Sequence, residues 1–257
     1  SAFRDHNGEP FFNQVKDPSR WTLAADACMK AIEVCLANDI RLYQTEDYMQ
    51  TKPMSDTTLL INTIRSSVSD QQNTNVELIF GNTGYPSGSN VQRHCLPRFE
   101  AGSAANATSR LAVPLHIVDL FYSSNGLPLE DDQSWLENEK YNTRFETLRV
   151  GDDAHRYVIQ PGETTSQINF DRELRFYAAL GFDRGKWYGN HYNNEPNDDA
   201  EAMFPMARYS EFSNRVANNE YNATGYWAKK LVNLNTRWRD ANELTYLSYP
   251  YPDMRFA

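Results

Sequence analysis

Five histidines, three cysteines and three adjacent aspartate pairs are the side chains of this 257-residue sequence best suited to chemistry. His6, His94, His116, His155 and His191 form no HExxH and no i,i+4 pair of the kind that holds zinc on one helix face. Cys28 and Cys35 stand seven apart in a helical pattern, about 10 Å along the axis and beyond disulfide reach. They read as small apolar core residues. Cys95 has no CxxC partner. Gly84-Tyr85-Pro86-Ser87-Gly88 lacks the strand-to-helix setting of a nucleophile elbow, and no phosphate-cradling GxxxxGK[ST] or strand-linked GxGxxG occurs. No metal or cofactor is expected.

A glycosidase needs two carboxyl groups, one of them made a better acid by desolvation. Asp131-Asp132, Asp152-Asp153 and Asp198-Asp199 are the available pairs, the last flanked by Glu195 and Glu201. Each falls in a polar loop, so solvated charge is the expectation. Asn197-Asp198-Asp199-Ala200-Glu201 offers oxygen ligands for calcium without the alternation or turn glycine of an EF-hand.

The elements that would position such groups are helical at the start. Asp17 and Pro18 predict a helix opening with Asp17 as N-cap and Pro18 at the first helical position. Trp21, Ala24, Ala25, Cys28, Ala31, Ile32, Cys35 and Leu36 then recur at helical spacing, and the small residues suit close helix pairing. A second helix is expected over 55–67, capped by Ser55, with Leu59, Leu60, Ile64 and Val68 as its stripe. Residues 75–81 alternate as a short strand, and 115–122 form a short helix stopped by Asn125-Gly126. Helix is expected again over 171–180 with Gly181 as C-cap, and an extended strand over 225–232. The stretch 185–222 has no sustained period, and a long irregular segment in a compact domain is more often functional than idle.

Composition narrows the partners. Lys+Arg 25 against Asp+Glu 34 gives a net charge of −9, which argues against a phosphate-tracking surface. No run approaches the roughly 18 apolar residues of a membrane helix. Aromatics reach 13%, with 15 tyrosines, while mean hydropathy is −0.69. Rings set among polar residues suit a wet binding surface. The ends lack a Met, a signal segment and a polar tail, and read as those of a middle piece of a longer protein.

Several segments, in order, resemble one family. They are Asp17-Pro18-Ser19-Arg20-Trp21 with Ala24-Ala25-Asp26-Ala27, then Val76-Glu77-Leu78-Ile79-Phe80, then Val118-Asp119-Leu120-Phe121-Tyr122-Ser123-Ser124-Asn125-Gly126-Leu127-Pro128-Leu129. Phe170-Asp171-Arg172-Glu173-Leu174-Arg175-Phe176-Tyr177-Ala178-Ala179-Leu180-Gly181-Phe182-Asp183 follows, with Gly225-Tyr226, Lys229-Lys230 and Pro252 to Ala257 after it. This set resembles the SusD/RagB-type nutrient-binding outer-membrane lipoproteins of Bacteroidetes over roughly residues 17–257.

The resemblance implies a mainly α fold, tetratricopeptide-like helix pairs joined to a loop-rich subdomain with a few short strands. On that basis 1–80 is the incomplete helical part and 81–257 the ligand-binding part, with terminal segments and a lipid-anchoring Cys lying outside this sequence. It implies capture of oligosaccharides, or peptides in some branches, without catalysis, at the cell surface, for a SusC-like TonB-dependent transporter. The alternative is a secreted glycoside hydrolase using a loop carboxylate pair. Family ligand residues vary, so no position carries over by motif. From residue type and setting the ligand candidates are Trp238, Tyr188, Tyr192, Trp187, Trp135 and Asn190. For Trp187 core packing is an equal reading, and Trp135 is either a platform or a plug against its loop. Trp21, Phe121, Phe176 and Tyr177 are assigned to the core.

Overall fold

The Asp17 carboxylate accepts hydrogen bonds from the Ser19 backbone N–H at 3.0 Å and the Ser19 hydroxyl at 2.7 Å, and the first helix starts there. This computed structural model describes residues 4–10, 17–50, 52–70, 74–84, 87, 91–99, 107–190, 203–214, 221–238 and 244–256. Helix α1 runs Ser19–Leu36, with Pro18 at the cap position rather than inside the first turn, a one-residue difference in where the helix is entered. The expected burial of its stripe does not follow. No residue of α1 is buried, Trp21 is 82% exposed and Cys28 is exposed. Helical spacing predicts the stripe, but burial requires a second element against it, and none of the described elements covers this face.

Helix α2, Asp56–Ser69, opens where expected, with the Ser55 hydroxyl accepting from Thr58 N–H. Its buried face is Thr58, Ile61, Asn62, Arg65, Ser66 and Ser69, while Leu59, Ile64 and Val68 are half-buried and Leu60 is exposed. The face is polar because of what it meets. Irregular backbone around residues 188–190 and 232–236 brings carbonyls that need donors. Arg65 supplies them, donating to the carbonyl oxygens of Tyr188 at 2.8 Å and Val232 at 3.4 Å.

Beyond α2 the elements are short. Strand β1 is Leu78–Asn82, and helices α3, α4 and α5 are Arg93–Cys95, Leu115–Asp119 and Gln133–Leu136. Strands β2 (Leu148–Val150) and β3 (Thr164–Ser166) precede α6 (Leu174–Ala179) and β4 (Leu180–Gly181). Strands β5 (Trp227–Ala228), β6 (Arg237–Trp238), β7 (Leu244–Thr245) and β8 (Tyr251–Arg255) complete the order. The strands form antiparallel pairs, β1 with β8, β2 with β3, β4 with β5 and β6 with β7. The described architecture is therefore mixed rather than mainly α. The strand expected over 225–232 shrinks to β5, followed by a 3-10 turn at Lys229–Leu231.

Two clusters of buried apolar side chains form the core. One gathers Trp135, Ile159, Ile168, Phe170, Phe176, Tyr177 and Phe182, with Phe121 packed at its edge. The other gathers Cys95, Leu96, Trp187, Trp227 and Val232. Helix α6 starts later than expected because Asp171 has φ 54° and Arg172 bridges to Ser123. The buried Arg172 guanidinium donates to the carbonyls of Val118, Phe121 and Ile168 at 3.0, 2.6 and 2.9 Å, fastening the segments 118–128 and 170–183 together.

Gly181 is not the C-cap of α6, since Leu180 already leaves the helix in extended conformation. A Cβ on Gly181 would lie 2.4 Å from the Trp187 ring. Gly181→Ala is therefore expected to lose roughly 1–3 kcal/mol through overpacking, measured by thermal or urea unfolding. An unchanged midpoint would show that the ring can shift freely.

Candidate ligand-binding cleft

The extended chain after α1 is pinned to residues 76 and 77, with Arg41 N–H donating to the Val76 carbonyl and Tyr43 N–H to Glu77 Oε1. A 3-10 turn, Thr45–Asp47, follows, closed by Gln44 N–H donating to Asp47 Oδ2 at 2.8 Å. Arg41 grips Asp47 with both nitrogens of its fork, at 2.6 and 2.7 Å. That hydrogen-bonded pair holds the Asp47 carboxyl below the usual carboxylate range. Tyr48 and Met49 are thereby set beside the C-terminus of α2, where the Tyr43 hydroxyl donates to Asp70 Oδ2 at 2.8 Å. Burial pushes the Asp70 carboxyl up and the Tyr43 phenol further up.

Asn190 builds the facing wall. It has φ 66° and follows Gly189 at φ 74°, and its amide nitrogen donates to the Asn233 carbonyl at 2.8 Å. Its Oδ1 accepts from Trp187 Nε1 at 2.9 Å and from Arg65 at 3.4 Å. Gln92 Oε1 receives Asn233 N–H and the Thr236 hydroxyl, so the turn that carries Leu234, Asn235 and Arg237 is held from behind. Gly189 lets that turn come close, for a Cβ there would lie 3.1 Å from Leu234 Cδ2.

Between these walls lies a cavity of about 160 Å³ lined by Asp47, Tyr48, Met49, Ser66, Asp70, Thr74, Tyr188, Gly189, Leu234, Asn235 and Arg237. That is well below the roughly 300–1,000 Å³ of clefts that engulf drug-sized ligands. It suits part of a ligand whose remainder stays in water. A hollow of about 480 Å³ elsewhere is lined by Leu115, Phe145, Leu148 and Tyr226 among others. Its polar side chains already serve one another, Tyr226 donating to Asn169 and Asn169 to Thr165.

Of the expected ligand residues, Tyr188 lines the cleft by an edge, since only 7% of its surface is exposed. Trp238 follows Arg237 in β6, which places its backbone at the rim, but its side chain lies outside the described residues, as does the whole of Tyr192. Three are buried, which agrees with the core reading of Trp187 and the plug reading of Trp135. Trp187 and Trp135 have no exposed surface, so neither presents a ring face to a ligand. Trp187 packs edge-on to Phe99, and Trp135 lies beneath the Lys140 ammonium at 4.3 Å. Asn190 is also fully buried, and its amide is spent on the wall. Asp47, Tyr48, Met49, Asp70 and Arg237 were not anticipated. Only Arg237 had a local signal, the polar run around Trp238.

Asp131 and Asp153 are exposed, as solvated charge requires, while Asp132 and Asp152 are tied into local hydrogen bonds. Asp132 is buried, and although burial pushes its pKa up, hydrogen bonds from Ser123, Ser134 and Asn125 prevail and hold it at about 2. Asp152 is held at about 2 chiefly by His155, which contacts both Asp152 and Asp171. Asp198, Asp199, Glu195 and Glu201 lie outside the described residues. Among the described residues no group of three or more His, Cys, Asp or Glu side chains is arranged to hold a metal.

The family model for SusD proteins matches residues 66–257. The chain belongs to the SusD family. Its fold agrees with a solved structure of BT4246 at a TM-score of 0.71 and 21% identity, over 97% of this chain and 42% of that one. Selenomethionine BT4246 gives 0.69 at 21% identity, covering 97% and 43%. A SusD-like protein, BF3747 from Bacteroides fragilis NCTC 9343, gives 0.50 at 18% identity, covering 93% and 39%. The chain thus spans less than half the length of these structures. No curated protein matches the sequence. In this SusD-family chain the segments that carry the resemblance are packing devices. Gly126 makes the turn at φ 75°, Arg172 serves carbonyls, and Lys229 donates to the carbonyls of Tyr177 and Lys186 at 2.9 and 2.8 Å.

Proposed function

We propose that this protein captures oligosaccharides at the cell surface without cleaving them and hands them to a SusC-like TonB-dependent outer-membrane transporter. The observation that carries the reading is the cleft itself. Tyr48 and Tyr188 line it together with Asp70, Asn235 and Arg237. Sugars ask for that combination, since their C–H faces lie on aromatic rings while their hydroxyls need both donors and acceptors. SusD-family membership supports nutrient uptake of this kind. In this reading the full-length protein is lipid-anchored at the outer membrane, residues 1–80 belong to tetratricopeptide-like helix pairs, and 81–257 form the ligand-binding part. No helix among the described residues is long and apolar enough to cross a membrane.

Glycoside hydrolysis is the competing reading, because Asp47 and Asp70 line one cleft with carboxyl pKa values pushed in opposite directions. Both oxygens of Asp47 are committed to Arg41, however, and Asp70 is hydrogen-bonded to Tyr43. That arrangement suits a rigid wall better than a nucleophile. The test is calorimetry of the full-length protein against plant, host and microbial glycans, with chromatography of the same mixtures. The expected result is binding without product, weakened about tenfold or more by Tyr188→Ala with folding retained. Released product would establish the hydrolase, and preferential binding of peptides would move the protein to a peptide-capturing role.

A further inference from the structure

Charge is unevenly settled in the cleft. Asp47 is neutralised by the two-pronged contact from Arg41. Asp70 accepts the Tyr43 hydroxyl, and burial pushes its carboxyl above the usual carboxylate range. Arg237 lines the same cavity and has neither an ion-pair nor a hydrogen-bond partner among the described residues. A half-buried guanidinium with five donors and no acceptor is an unfinished contact. Its planar fork matches a carboxylate in two parallel hydrogen bonds, a geometry that a sugar hydroxyl does not offer.

We propose that the cleft selects acidic oligosaccharides, with Arg237 gripping a sugar carboxylate while Tyr188 lines the bed for the ring. The inference rests on the glycan-capture reading and names its substrate class. The carboxylate is that of a uronate or of a sialic acid, which share this chemistry. The chain carries a net charge of −9, so it repels acidic polymers at a distance. Selection must therefore come from the short-range fork, and neutral glycans gain nothing from it. Neutral sugars would still meet the tyrosines and Asn235, but they would leave the guanidinium charge without a counterion.

The experiment is calorimetry on the full-length protein with matched pairs: oligogalacturonides against their carboxyl-reduced forms, oligoglucuronides treated alike, and sialyllactose against lactose. The expected result is one acidic ligand bound about tenfold or more tighter than its neutral partner. The arm in which this occurs identifies the source of the carboxylate. Arg237→Gln should abolish that ratio and Arg237→Lys should restore only part of it, because an ammonium keeps the charge without the fork. Unfolding midpoints of both variants report their integrity, and the wild-type ratio needs no variant at all. Equal or tighter binding of the neutral partners, or a ratio unchanged in Arg237→Gln, overturns the proposal and leaves glycan capture standing. Failure of both acidic and neutral members to bind overturns glycan capture and this proposal together.

Discussion

Arg65→Ala is expected to lower the unfolding free energy by about 3–5 kcal/mol, from the cavity it leaves and the carbonyls it strands. The guanidinium is fully buried and meets no carboxylate among the described residues. It donates instead to the Tyr188 and Val232 carbonyls and to Asn190, two of which stand in the wall of the cleft. Burial pushes its pKa down, so the charge itself is a cost. Arg65→Met separates the contributions. It fills much of the volume and removes the buried charge, yet leaves the carbonyls unserved, so an intermediate loss is expected. Urea denaturation of both variants measures this. A loss below about 1 kcal/mol for Arg65→Ala would mean that water replaces the guanidinium without penalty.

Lys229→Met is expected to change the slope of stability against pH. Lys229 is fully buried, and its pKa lies well below the ordinary lysine value through desolvation first and then the neighbouring charges of Arg65 and Lys186. In the unfolded chain the amine titrates near about 10.4. Between its depressed folded value and that ordinary one, the unfolded state binds the extra proton, so stability rises as pH rises. The slope from this group approaches about 1.4 kcal/mol per pH unit within the window. In Lys229→Met that contribution disappears and the profile flattens. Equal slopes in wild type and variant would place the Lys229 ammonium in contact with water. Near the top of the window the buried phenols of Tyr177 and Tyr226, pushed up by burial, favour unfolding as unfolded tyrosines ionise, so measurements belong below about pH 9.5.

Local signals were readable in the sequence wherever the physics was local. The Ser55 cap and the periodicity of α1 and α2 depend on neighbours within a few residues, and those elements stand where expected, whereas the helix expected over 115–122 ends at Asp119, before Asn125-Gly126. Aromatic roles were readable only in part: Phe121, Phe176 and Tyr177 join the core as expected, while Trp21 is exposed. Trp187 sits in a polar, loop-like stretch that left core packing and ligand contact as equal readings, and it is buried because Gly181, Phe99 and Arg65 close around it. Asp132 looked like solvated charge because the hydroxyl of Ser123 and the amide of Asn125 fold back onto it only in three dimensions. The cleft drew on residues 47–49, 70, 188 and 234–237, and no motif spans such distances. The polar stripe of α2 was the hardest to foresee. Its partners are backbone carbonyls, which every sequence has and none advertises.

The contacts that close the cleft also set the order in which it can be made. Arg65 reaches Val232 across 167 positions, Asn233 reaches Ser69 across 164, and Arg255 reaches Glu77 across 178. Closing such long loops is slow, because chain entropy is lost before any contact repays it. On a ribosome the first half of this wall would wait, its helix face polar and its strand edge unpaired, until the last strand emerged. The binding surface is therefore a late event in folding. A buried face in which Thr58, Asn62, Arg65 and Ser69 surround Ile61 offers the waiting chain's neighbours little apolar surface on which to aggregate.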